Sequence, residues 1–177
     1  MRTGEFTGFS VTLRNPGIAW IQFNTPERLN GLTHRIKRDL VETINQAQMD
    51  NAVRVMVFTG SGRAFCAGDD ISGQKKPISG EPLMPPIPAG HDNEIGTYEG
   101  LRHLSQTLNL ALRNCDKIAI AAVNGIAIQT GMTLALALLL SLLIIAIANT
   151  HHPHTQWCNQ HIQAGVGKNR SIVGQRL

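Results

Sequence analysis

The chemistry available to this chain of 177 residues sits mostly in its backbone. Ala64-Phe65-Cys66-Ala67-Gly68-Asp69-Asp70 is a run of small residues around one glycine, with two carboxylates behind it. Asn124-Gly125 and Gln129-Thr130-Gly131 form a second small-residue stretch. Where side chains are this small, main-chain N–H groups stay uncovered and a ligand oxygen can approach them directly. The plainer alternative for each stretch is an ordinary strand, turn and loop.

Both stretches follow elements able to hold them still. Val53, Val55, Met56, Val57 and Phe58 read as a short buried strand that stops at the turn Thr59-Gly60-Ser61-Gly62. Residues 118–123 read as a second buried strand, and a helix opens near Gly131.

Together these segments resemble the enoyl-CoA hydratase/isomerase family, the crotonases. In that family a strand ending in F-x-A-G-x-D lies beside one ending in A-x-N-G-x-A-x-G-x-G. Each contributes one backbone N–H to an oxyanion hole for an acyl-CoA thioester. The resemblance implies Asp69 and Thr130 as the two donors, with Thr130 standing where the family usually has glycine. It also implies that Arg28, Ala67, Gly68, Asp70, Ile71 and Gly131 bind substrate, Asp70 being the motif aspartate that is more often structural. The basic residue of a P-E-[KR]-x-N-A-L segment lies near the coenzyme A phosphates, and Pro26-Glu27-Arg28-Leu29-Asn30-Gly31-Leu32 is similar. A solvated loop arginine is the other reading of Arg28. The fold implied is α/β, of the ClpP/crotonase type with layered β-β-α repeats, incomplete at the C-terminus. The family further implies coenzyme A thioester as substrate with no separate cofactor, no metal, and a homotrimer or dimer of trimers.

The acid–base groups match less well. Hydratases place a glutamate three residues after the second donor, and that position is Thr133. Threonine is no general base near neutral pH without activation. The second glutamate belongs to a G-x-x-P-[DE]-x-G-type segment that the sequence lacks after the second motif. The acids near the expected site are Asp69, Asp70, Glu94 and Glu99.

The remaining elements follow in order. Phe9 to Leu13 and Ile18 to Phe23 alternate as two strands around the turn Asn15-Pro16-Gly17. Thr33 caps a helix whose apolar stripe is Ile36, Leu40, Val41, Ile44 and Ala47. Arg35, Lys37, Arg38, Asp39 and Glu42 are expected to form its solvated face, with His34 an ordinary surface residue. Residues 73–96 hold five of the eight prolines, too many for a helix or inner strand. They read either as a loop over the site, with Met84, Pro86 and Ile87 touching substrate, or as linker. From Thr97 to Asn114 a helical period returns, with Leu101, Leu104, Leu108 and Leu112 on one face.

Composition sets the outer limits. Net charge is +4 and charged residues make up 16%, a basicity too dispersed for a nucleic-acid footprint. Asp116 is the last acidic residue. Three cysteines without paired spacing, and an N-terminus without an apolar signal core, point to a reducing, cytoplasmic location. Residues 131–148 carry no charge. They read as buried helix running into buried strand in preference to a membrane span, because the run begins inside the second motif. The organisation expected is a partial acyl-CoA-binding core over residues 1–148 and a divergent, flexible tail over 149–177. His151, His152, His154, Cys158 and His161 in that tail lack zinc-site spacing. Two functions stay open at this point: an acyl-CoA enzyme of the hydratase/isomerase type, or a catalytically impaired acyl-CoA-binding remnant.

Overall fold

A computed structural model describes residues 1–70, 78, 80–85 and 94–138. All of these fall within Met1–Ala146, one of the two units into which the chain divides. The expected boundary at 148/149, Ile71, Pro86, Ile87 and the histidine-bearing tail lie outside the described residues.

The alternating N-terminal residues form an antiparallel meander of β1 (Gly4–Phe6), β2 (Phe9–Arg14) and β3 (Ile18–Phe23). On β3 the period of two is plain. Ala19, Ile21 and Phe23 are buried, while Ile18, Trp20 and Gln22 are half-buried. A 16-residue helix, α1 (His34–Met49), then crosses back. Thr33 caps it as expected, its side chain accepting from the Ile36 N–H at 3.3 Å. The crossover allows β4 (Val55–Gly60) to pair parallel to β3. β6 (Ile118–Ala122) adds parallel to β4, giving one sheet of order β1-β2-β3-β4-β6. Every strand expected from the sequence therefore shares that sheet.

Two short strands leave it. β5 (Ala64–Cys66) follows β4, β7 (Ile126–Ala127) follows β6, and the two pair parallel as a second sheet. Beyond β7 comes α4 (Thr130–Ala137). The second helical region begins earlier than its leucine period suggests. It runs as α2 (Glu94–Gly100), a π-helical segment (Leu101–Gln106) and α3 (Thr107–Arg113). Leu104, Leu108 and Leu112 are buried as expected, but Leu101 is exposed. A π turn closes i→i+5 and so inserts an extra residue, which rotates the preceding stretch off the stripe. The core joins Ile36, Leu40, Ile44 and Ala47 of α1 to Phe9, Val11, Ile21, Phe23, Met56 and Phe58 of the sheet. Among the described residues no helix is long and apolar enough to cross a membrane.

Candidate functional site

Neighbouring strands deliver the two small-residue loops together. β4 and β6 are paired from Val55↔Ile118 to Thr59↔Ala122, and the pairing resumes between β5 and β7. It ends with the Ile128 N–H donating to the Cys66 carbonyl at 3.0 Å. Past that bond the 67–70 loop and the 128–131 turn face each other. Gly131 permits this approach, because a Cβ there would collide with the Cys66 carbonyl.

Two buried or half-buried asparagines fix the base of the site. Asn30 Nδ2 donates to the Ser61 carbonyl at 2.9 Å and to the Ala64 carbonyl at 2.8 Å, and its Oδ1 accepts from the Thr25 N–H at 3.0 Å. Asn124 approaches the same turn, accepting from the Gly60 N–H at 2.9 Å and donating to the Gly62 carbonyl at 3.0 Å. The 67–70 loop is also laced to the 29–32 segment. Ala67 N–H donates to the Leu29 carbonyl, Leu32 N–H to the Gly68 carbonyl and Asp70 N–H to the Leu32 carbonyl, at 2.8–3.1 Å. Arg28 and Asp70 form an ion pair of 2.9 Å across this seam, both largely buried. Asp70 thus helps hold the loop, and the Arg28 charge is engaged with it.

Asp69 and Thr130, the two expected donors, lie side by side. Thr130 Oγ1 donates to Asp69 Oδ1 at 2.6 Å. As the first residue of α4, Thr130 has an N–H with no acceptor inside its own helix. The Asp69 N–H donates to the side-chain Oε1 of Gln129 at 3.3 Å. Gln129 holds φ 50° and ψ −118°, a left-handed conformation natural to glycine and strained for other residues. It stands at a position the family motif gives as glycine, so a side chain has entered where the motif has none. Gly68, at φ +99°, is closed in by the same residue, since a Cβ there would come 2.7 Å from Gln129 Oε1.

Lys37 overturns the expectation of a solvated face. Its side chain is 1% exposed and pairs with Asp69 Oδ1 at 2.9 Å. Its ammonium also donates to Ser105 Oγ at 2.7 Å. Asp39 is buried too, accepting from the Leu83 and Met84 N–H groups at 3.2 and 3.0 Å. Burial raises the Asp39 pKa, and those two amides partly offset the rise. The physical reason for both departures is that α1 is covered on two sides, by the sheet and by the π segment and loop 80–85. The sequence does carry a sign for Lys37. It lies seven residues before buried Ile44, and seven residues is two turns with a drift of only about 20°, so both face the same way.

Other candidates are placed as follows. Thr133 is exposed, with its hydroxyl donating to the Gln129 carbonyl at 3.1 Å. Burial pushes the Cys66 thiol up to about 11. His34 is exposed, lying against Gly100. Partial burial lowers its pKa, Lys37 adds to the lowering, and Asp69 opposes it. A cavity of about 400 Å³ opens beside it, lined among others by Arg38, Val41, Met84, His103 and Leu104. Lys37 and Gln129 are the site residues that the sequence reading missed.

Paired parallel strands that carry two glycine-dependent loops to one point make this a crotonase-type α/β fold. Comparison with known proteins agrees. The enoyl-CoA hydratase/isomerase model matches residues 18–142. A probable enoyl-CoA hydratase of Mycobacterium tuberculosis (strain ATCC 25618 / H37Rv) is 35% identical over 120 residues, 68% of this chain and 41% of that protein. The 1,2-epoxyphenylacetyl-CoA isomerase of Escherichia coli (strain K12) is 32% identical with the same coverage. The crystal structure of a probable enoyl-CoA hydratase/isomerase from Mycobacterium abscessus superposes with a TM-score of 0.59 at 30% identity, covering 74% of this chain and 44% of that one. The chain belongs to the enoyl-CoA hydratase/isomerase family, and spans about two fifths of the length of these curated relatives.

Proposed function

We propose that this chain binds an acyl-CoA thioester and stabilises its enolate between the backbone N–H groups of Asp69 and Thr130. The observation that carries this reading is the 2.6 Å side-chain contact between those two residues, which brings the two loops together. Fixed N–H donors act where negative charge develops, and losing one typically costs about 2.7–4 kcal/mol of barrier. The positive end of α4 adds to the same field. The loose 3.3 Å bond from Asp69 N–H to Gln129 Oε1 is one that a thioester oxygen would have to displace. The 400 Å³ cavity beside His34 offers space for an acyl group.

Hydration is the weaker part of the activity. It needs a positioned water and groups that take and give a proton. Thr133 occupies the position of the family's first glutamate, and its hydroxyl is committed to the Gln129 carbonyl. Acid–base help is typically worth about 10²–10⁴-fold, so hydratase turnover falls far below that of a family member with glutamate at this position. Calorimetric titration with butyryl-CoA tests binding, and loss of the conjugated thioester absorbance of crotonyl-CoA tests hydration. Saturable heat with little or no hydration is the expected pair of results. Absence of binding overturns the reading, and fast hydration overturns the impairment.

A further inference from the structure

Asp69 has a property that the pair of N–H donors does not require. Its side chain reaches across to Thr130, so the carboxylate lies beside the point proposed above for the thioester oxygen. Both Lys37 Nζ, at 2.9 Å, and Thr130 Oγ1, at 2.6 Å, grip the same oxygen, Oδ1. The side chain is 26% exposed, so the carboxylate keeps a face toward solvent while its orientation is fixed. In a bound thioester the α-carbon lies about 2.4 Å from the carbonyl oxygen, by ordinary bond lengths. A carboxylate beside the oxygen is therefore within reach of the α-proton.

The neighbouring groups fit that task less well. Asp70 is 6% exposed and paired with Arg28. The Cys66 thiol is pushed up to about 11 by burial, which leaves almost no thiolate. Thr133 has its hydroxyl on a carbonyl. His34, Glu42, Glu99 and His103 line the cavity, with His34 lying against Gly100; none of them has a contact with Thr130 comparable to that of Asp69.

We propose that Asp69 is the general base that removes the α-proton of the bound acyl-CoA, with Lys37 and Thr130 as positioning residues. This rests on the acyl-CoA reading above. In the step, the α C–H bond breaks and its electron pair forms the C=C bond of the enolate. The carbonyl π pair moves onto the oxygen between the two N–H groups, and the proton goes to Asp69. In D₂O the reverse step returns a deuteron, so the reaction is exchange and consumes no co-reactant.

The test uses the 177-residue chain with butyryl-CoA in D₂O, following the α-protons by NMR and affinity by calorimetry. Asp69→Asn is expected to retain binding and slow exchange by about 10²–10⁴-fold. Thr130→Val keeps the backbone donor and removes only the hydroxyl grip on Oδ1. It is expected to slow exchange by about tenfold, and it carries the test if Asp69→Asn fails to fold. Unchanged exchange in a folded, binding Asp69→Asn chain overturns the proposal. So does unchanged exchange in Thr130→Val, or loss of exchange in His34→Gln with Asp69→Asn unaffected. Binding without any exchange by the parent chain overturns the base while leaving the binding reading intact. No binding at all overturns both.

Discussion

Replacing Gln129 by glycine and by alanine separates backbone strain from side-chain contact. Gln129 sits at φ 50° and ψ −118°, and holding a non-glycine residue in such a region costs roughly 1–3 kcal/mol. Both substitutions remove the 3.3 Å bond from the Asp69 N–H, a loss of about 0.5–1.5 kcal/mol. Alanine keeps the strain, so Gln129→Ala should be destabilised by about 1 kcal/mol through that lost bond. Glycine relieves the strain and gives back about 0.5–1 kcal/mol through the greater freedom of its unfolded chain. Gln129→Gly should therefore exceed Gln129→Ala by about 0.5–2 kcal/mol. Urea unfolding at constant m-value measures this directly. The glycine variant should also bind butyryl-CoA more tightly than the parent, because its Asp69 N–H no longer has to release Gln129. Equal midpoints for the two variants, or a higher one for alanine, would refute the strain argument.

The other predictions concern buried and titrating groups. Lys37→Met strands a carboxylate that water reaches only in part, and should cost about 1–3 kcal/mol, less than a fully buried pair; adding Asp69→Asn should recover most of it, and a silent Lys37→Met would show the pair contributes nothing. With its thiol raised to about 11, Cys66 should react with iodoacetamide at pH 8 on the order of a hundredfold more slowly than in the urea-unfolded chain. Peptide mapping reads the rate, and equal rates would contradict its burial. The folded-state pKa of His34 lies below its unfolded value of about 6.5. The unfolded chain thus binds the proton first, and the stability His34 contributes is present above that value and lost as pH falls through the folded pKa. His34→Gln should flatten the decline in urea midpoint on acidification, and an unchanged slope would count against it.

What was legible in the sequence was mostly backbone. The alternation of Ala19, Ile21 and Phe23, and the apolar runs at 53–58 and 118–123, locate strands of the main sheet because burial on one or both faces leaves that imprint. The two small-residue motifs likewise locate the loops, since only small residues allow Gly131 to pass the Cys66 carbonyl. Side-chain partnerships left no comparable imprint. Lys37 sits among Arg35, Arg38 and Glu42 and reads as surface; its seven-residue spacing from Ile44 is the one sign, and it names neither Asp69 nor Ser105 as partner. Leu101 was misplaced for a related reason, because its period is continuous in sequence while the π segment interrupts it in space. The second sheet was missed because β5 and β7 are three and two residues long, too short for any period to show.

The Lys37–Asp69 pair also bears on which reactions the proposed site would favour. An enolate formed beside an ionised Asp69 would be repelled by it, and two like charges a few ångströms apart are costly where water is scarce. If Asp69 takes the α-proton, that conflict disappears as the enolate appears. The carboxylate becomes neutral, the charge moves to the oxygen facing the Asp69 and Thr130 N–H groups, and Lys37 remains positive nearby. The net charge of the site is unchanged, and the negative charge shifts only a short way toward the N-terminus of α4. Hydration lacks this economy, because hydroxide equivalents must be generated and a proton delivered by groups for which Thr133 is no substitute. On the proposed acyl-CoA reading, the arrangement of Lys37, Asp69 and Thr130 thus suits proton removal next to a thioester better than addition of water across it.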